Sequence, residues 1–446
     1  MTSASMKRTL TTALLIFSAF AGGAWASHAA FAKPEEQSPY FLLDQMARVL
    51  VLIENEYVEP IDRNRLLEGS IKGMVAELDP HSSYLPPDDY AILQGDTEGR
   101  FGGIGVEVDF QDEYVTVIAP IEGSPAFRAG VQPGDRIIAI DNLPVRGKSS
   151  EELVRQMRGA AGTKVTLTVR RTGTERLLYF TLAREVISVA SIAAKLLKGN
   201  VAYLRVKTFQ TGTHAELLEN VAELQKAAGS IDGIVLDLRN NPGGLVNEAS
   251  AVADEFLSSG VIYTTRHRGK IVDEERANPS GALRRGSMVV LVNEYSASAA
   301  ELLAGALQDN RRASVVGATT FGKGSVQTII DLPDRAGLRL TTMRYYTPRG
   351  RAIQAQGVRP DVFVEAAYVP DKSFGVIRER DLENHLPAEG PPGSTPLVDA
   401  GAAGGDAGAA THLGVAREVP FDPTGGSDFA LSIGYQIVRG VLMKRP

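Results

Sequence analysis

Residues 288–307 read MVVLVNEYSASAAELLAGAL: an apolar run of strand length, a short polar turn carrying Ser296 and Ser298, then small and apolar residues of helical texture. Two further apolar runs, VAYLRV (201–206) and GIVLDLR (233–239), are of similar length, and the second also leads into a helix-like stretch, EASAVADEFLSS (248–259). A strand that is apolar at nearly every position, rather than at alternate ones, is covered on both faces. Such strands alternating with helices predict an α/β core, placed here at 186–365.

The flanking segments have other textures. Residues 98–185 contain short β-like runs, among them GGIGVEVDF and KVTLTVRR, around one clear helix start, where Ser149 and Glu152 have capping-box spacing. They predict a small α+β domain inserted ahead of the core. Residues 33–97 read as a helical region, because Ile71, Met74, Val75 and Leu78 recur on one helical face. His81, between proline and serines with no second ligand at metal spacing, reads as structural. In the C-terminal region, 366–446, the Gly/Ala/Pro-rich stretch 390–410 has linker composition, and FALSIGYQIVRGVL (429–442) reads as a closing helix.

At the N-terminus, Lys7 and Arg8 precede the apolar run TLTTALLIFSAFAGGAWA, so residues 1–32 have the layout of a secretory signal peptide. Small residues place cleavage after Ala26 or Ala32. Export to the periplasm is the expectation, with inner-membrane anchoring if the segment is retained. The chain of 446 residues is long enough for several domains, and its 43% hydrophobic and 22% charged residues are those of a globular protein. A net charge of −6 gives no reason to expect nucleic acid as a partner, and the absence of cysteine excludes disulfides, a thiol nucleophile and a thiolate metal site.

Three segments carry potential chemistry. Ser298 lies where a strand passes into a helix, and the unpaired N–H groups of a first helical turn, Ala299 foremost, stabilise negative charge on a carbonyl oxygen. The same letters also spell a plain N-cap, with Glu301 completing a capping box to Ser298. VLDLRNNPGGLVNEAS (235–250) places a Gly-rich turn between strand and helix, where Gly244 N–H is a potential second donor and a tight connection is the simpler reading. In FGKGSVQTII (321–330), Lys323 is either a solvated loop residue or, if desolvated, a general base, and Gln327 shares its face on an extended chain. No G-x-S-x-G occurs and no histidine falls between 268 and 384, so a lysine is the more plausible proton acceptor than a histidine.

These segments, in order and together with LTTMRYYTPRGRAIQAQGVRPDV (340–362), resemble the carboxy-terminal processing proteases, serine endopeptidases with a Ser/Lys dyad and an embedded PDZ domain. The resemblance spans roughly 38–365. It implies a crotonase-like or ClpP-like α/β protease core with an inserted bacterial-type PDZ domain and helical terminal regions. It also implies Ser298 as nucleophile, Lys323 as general base, Gln327 positioning the lysine, and Ala299 and Gly244 lining an oxyanion hole. In the PDZ domain it points to Gly103, Ile104, Gly105 and Val106 as the loop that binds a peptide carboxylate. Arg158 is similar to an arginine through which some relatives couple the PDZ domain to the active site. No metal or cofactor is called for, and the partners implied are proteins with unstructured C-terminal tails, with room for a homo-oligomer and an adaptor. Two departures, Ala300 in place of a serine and Phe321 in place of a tyrosine, touch packing and no catalytic atom. The main rival is a catalytically silent or adaptor-dependent PDZ scaffold. An acyl-CoA enzyme of similar core and a protease using His214 or His267 are the others.

Overall fold

The computed structural model of the chain describes residues 39–110, 114–279, 281, 283–364, 377–389, 411–413 and 428–440. The segments read as signal peptide (1–32) and linker (390–410) lie outside these residues. Two compact units are present, 1–73 and 74–446. The first holds α1 (Pro39–Glu56) and the greater part of α2 (Arg63–Ala76), tied by Arg63 Nη2, which donates to Glu54 Oε2 at 2.8 Å.

The second unit begins with β1 (Ser83–Leu85) and α3 (Pro87–Thr97), whose first residue is a proline with the φ a helix start requires. An antiparallel domain follows: β2 (Arg100–Gly103), β3 (Val106–Phe110), β4 (Val115–Pro120), α4 (Pro125–Arg128), β5 (Arg136–Ile140), β6 (Leu143–Pro144), α5 (Ser150–Met157), β7 (Lys164–Arg170), β8 (Leu178–Ala183) and β9 (Glu185–Ser188). The sheet runs β3-β4-β5-β7-β8, with β6 on β5, so β3 is an edge strand among the described residues. Val117, Ile137, Leu153, Met157, Leu167 and Val169 form its separate core. The predicted helix start holds: Ser149 Oγ accepts Glu152 N–H at 3.2 Å. Where the chain enters and leaves, β2 and β9 pair antiparallel.

The core begins with β10 (Ile192–Leu197), β11 (Val201–Val206), α6 (Thr213–Ala228), β12 (Gly233–Asp237) and α7 (Val246–Phe256). It continues through the hairpin β13 (Val261–His267) and β14 (Lys270–Arg276), then β15 (Ser287–Val292), α8 (Ala299–Asp309), β16 (Ser314–Gly317), β17 (Ser325–Asp331) and β18 (Gly337–Tyr346). The last elements are β19 (Val362–Val364), β20 (Thr411–Leu413) and α9 (Phe429–Val438). The main sheet is ordered β10-β11-β12-β15-β16-β19-β20, parallel from β11 onward. Both faces are covered: Leu236, Val290 and Val292 pack against α6, α7 and α8, while Val235, Val289 and Leu291 pack against α9. That is why these strands are apolar throughout. A guanidinium pins α9, since Arg239 binds Asp237 on β12 and donates to Asp428 at 2.8 and 2.7 Å. A second sheet, β1-β18-β13-β14 with β17 on β18, brings the loop before β17 toward the start of α8.

Candidate active site

Ser298 closes the turn between β15 and α8 with φ 55° and ψ −118°. An ordinary N-cap is extended, as Ser149 is at φ −71° and ψ 156°. A non-glycine residue in the conformation of Ser298 costs about 1–3 kcal/mol and persists only where its surroundings impose it. This strain separates Ser298 from a plain cap. Its neighbour Ser296 is structural: fully buried, its Oγ donates to Leu238 O at 2.8 Å and accepts Asn293 N–H at 3.0 Å, tying the end of β15 to the end of β12.

The RNNPGG turn is docked on this serine. Asn241, fully buried, donates through Nδ2 to Val206 O at 2.9 Å, accepts Gly243 N–H at Oδ1 (2.8 Å), and accepts Ala297 N–H at its carbonyl (2.9 Å). At Gly243, φ is 103° and a Cβ would stand 2.8 Å from Ser298 Cβ and 3.0 Å from Ala299 N, so only glycine fits. Gly244, at φ 131°, abuts the Phe209 backbone. Among the described residues, neither Ala299 N–H nor Gly244 N–H donates a hydrogen bond. Asn241, which sets the turn, was not singled out in the sequence; its place between a strand end and a Pro-Gly-Gly turn was the available signal.

Glu301 joins the serine to the lysine. Its Oε2 accepts both Ser298 N–H and Lys323 N–H at 2.8 Å, and its Oε1 accepts Gly322 N–H at 2.7 Å and the Thr320 hydroxyl. Two segments 25 residues apart thus converge on one oxygen atom. Glu301 is fully buried, and burial pushes its carboxyl up to about 7 against the pull of those four donors. The sequence showed Glu301 as a capping residue only, since a cap and a clip between two loops use the same letter at the same spacing.

Lys323 is half-buried, and among the described residues its ammonium nitrogen makes neither a hydrogen bond nor a contact ion pair. Desolvation, then the Arg339 charge, lowers its pKa, while Glu379, Asp79 and Glu301 act in the opposite sense; the net direction is down. Gln327 Nε2 donates to Ser325 Oγ at 2.9 Å and Thr341 Oγ1 at 3.2 Å, leaving its carbonyl oxygen without a partner among the described residues and not bonded to Lys323. Asp79 is held by Ser82 Oγ (2.7 Å) and Thr341 Oγ1 (3.1 Å). His81 meets Glu379 Oε2 at 2.7 Å. Of the two histidines weighed as triad members, His214 is engaged with Glu255 Oε1 at 2.9 Å and His267 with Thr342 O at 2.8 Å.

The loop Gly103 to Val106 lies at the head of edge strand β3. Gly105 has φ 74°, Ile104 is buried in the domain core, and among the described residues neither Ile104 N–H nor Gly105 N–H donates a hydrogen bond. Arg158, at the end of α5, donates to Asp96 on α3 at 2.6 Å and lies 4.5 Å from the Phe101 ring centre. It therefore bridges the inserted domain to a helix outside it.

Comparison with known proteins gives three matches: peptidase family S41 at residues 200–364, a PDZ domain at 116–171, and the activating protease CtpB N-terminal domain at 22–88. The chain is 38% identical over 412 residues to a carboxy-terminal-processing protease of Bartonella bacilliformis, covering 91% of this chain and 90% of that one. It is 39% identical over 322 residues to a carboxyl-terminal-processing protease of Synechocystis sp., covering 70% and 75%. Among solved structures, the photosystem II D1 C-terminal processing protease is 31% identical with a TM-score of 0.49, covering 78% of this chain and 92% of that one.

Proposed function

The chain belongs to the carboxy-terminal-processing proteases, serine-type peptidases of family S41 that carry a PDZ domain, and from that premise we propose that it cleaves exported proteins near their C-termini through a Ser298/Lys323 dyad. The observation that carries this reading is the shared Glu301 oxygen, which holds the backbones of both residues at 2.8 Å each. Neutral Lys323 takes the proton of Ser298 as Oγ attacks the scissile carbonyl, and passes it to the leaving amine. The carbonyl oxygen, now anionic, is met by Ala299 N–H and Gly244 N–H, the two amides free for it. Water then hydrolyses the acyl-serine by the same route in reverse. In this reading the Gln327 carbonyl oxygen, without a partner among the described residues, orients the lysine amine once substrate excludes water.

Tail recognition falls to the PDZ domain. An extended C-terminus adds to the open edge of β3, with its carboxylate on the amides of Gly103 to Val106. The signal-like segment supports a periplasmic location; among the described residues no helix is long and apolar enough to cross a membrane. Homo-oligomer formation and an adaptor remain compatible with this reading, and an adaptor-dependent enzyme fits the same geometry. Digestion of casein by the wild type, Ser298→Ala and Lys323→Ala tests the dyad: activity in the wild type alone is expected, and equal turnover by all three contradicts it.

A further inference from the structure

The loop that carries Lys323 has a second set of anchors. Glu379 is fully buried, yet it comes from residues 377–389, beyond the matched peptidase region that ends at 364. Its Oε2 meets His81 Nε2 at 2.7 Å, its Oε1 accepts Gln354 Nε2–H at 2.8 Å, and its backbone N–H donates to Phe321 O at 3.3 Å. Gln354, also buried, carries the connection onward, because its Oε1 accepts Gly324 N–H at 3.0 Å. Phe321 and Gly324 bracket Lys323, so the loop is held on both sides of the lysine by one residue, through its backbone N–H at Phe321 and through its carboxylate and Gln354 at Gly324. His81 is fixed in turn, its carbonyl accepting from Arg339 Nε at 3.0 Å.

A carboxylate buried this deeply is costly to desolvate, and an apolar side chain of similar size would commonly be no less stable. Its cost is offset here by its bonds with His81 and Gln354, the second of which passes on to the lysine loop at Gly324. The charges that face Lys323 are Arg339 from β18, Glu379, Asp79 ahead of β1, and Glu301 from α8, with Glu379 the largest of the carboxylate contributions. We infer that Glu379 is a positioning residue for the general base: through Gln354 and Phe321 it sets the lysine loop, and its carboxylate sets the charge that Lys323 meets. This rests on the dyad reading above. Burial works to raise the Glu379 carboxyl, but the bonds from His81 and Gln354, with the charges of His81 and Lys323, hold it below the ordinary value. It is therefore ionised at neutral pH. A carboxylate favours the ammonium form of Lys323, so removing it lets the amine lose its proton at lower pH.

The test is kcat and KM across pH on a peptide with a free C-terminus, for wild type, Glu379→Gln, Gln354→Met and Lys323→Ala, with thermal unfolding followed alongside. For Glu379→Gln the acid limb of kcat/KM moves to lower pH and kcat falls about tenfold at unchanged KM, as expected for a misplaced base. Gln354→Met, which keeps the charge, gives a similar fall in kcat with the limb in place. A Glu379→Gln profile superimposable on the wild type overturns the inference, as does a fall in kcat that only tracks lost folded protein. If Glu379→Gln does not fold, an undiminished kcat for Gln354→Met overturns it. Wild-type activity in Lys323→Ala means that the dyad reading itself has failed; an inactive Lys323→Ala beside an unaltered Glu379→Gln means that only this inference has.

Discussion

Glu301 gives the site its most distinctive chemistry. On the proposed dyad mechanism, two groups must lose a proton for the site to work: Lys323, to act as base, and Glu301, to accept all four of its donors. Glu301 is pushed up to about 7 by burial, and Lys323 is brought below its ordinary value by burial and Arg339. Both are protonated at low pH, so activity falls as pH falls through each. The acid limb of log kcat/KM is then steeper than one proton allows, with a slope above one; a limb of slope one, measured on a non-sticky peptide, contradicts this. Glu301→Gln turns an amide nitrogen or a weaker oxygen toward donors that need an anion. It is expected to lower kcat about a hundredfold and to cost about 2–4 kcal/mol in thermal or urea unfolding. Neither effect was legible in the sequence, where Glu301 fitted a capping box; its partners in the 320–323 loop become visible only when the two segments meet.

At the scale of elements, the strand-to-helix turn before α8 and the Pro-Gly-Gly turn after β12 form one device. Gly243 lets the second turn lie against the first, and a Cβ there would collide with Ser298 Cβ at 2.8 Å. Gly243→Ala is therefore expected to reduce kcat by about a hundredfold or more, with a stability loss of about 1–3 kcal/mol seen in thermal unfolding. Unchanged kcat would show that the close approach does not matter. The sequence exposed these elements well, because β11, β12 and β15 are apolar on both faces and each of the last two leads through a short turn into a helix. The β17–β18 hairpin was less visible: β18, GLRLTTMRYY, mixes polar and apolar residues without clean alternation, since most of its positions are half-buried. The relay from His81 to Glu379 was hidden for a different reason, its ends lying 298 residues apart in the chain.

Across the whole molecule, the PDZ domain, the core and the α9 helix divide the task. The core holds Ser298, the proposed nucleophile, α9 covers one face of its sheet, and β3 is an edge strand among the described residues, where a tail is proposed to add. If that edge reads the terminal carboxylate, amidating the C-terminus of a peptide substrate raises KM about tenfold or more with little change in kcat, since the lost interaction is made equally in the ground and transition states. Equal KM for the two peptides would remove the PDZ loop from recognition. Arg158, bonded to Asp96 and lying over Phe101, joins the PDZ domain to the helix beside it. The most direct measurement of the central claim is labelling with a fluorophosphonate, which reacts only with an activated serine, followed by mass spectrometry of the modified peptide. A single adduct on Ser298 is expected, absent in Ser298→Ala and strongly reduced in Lys323→Ala. An adduct on another residue, or undiminished labelling of Lys323→Ala, would contradict it.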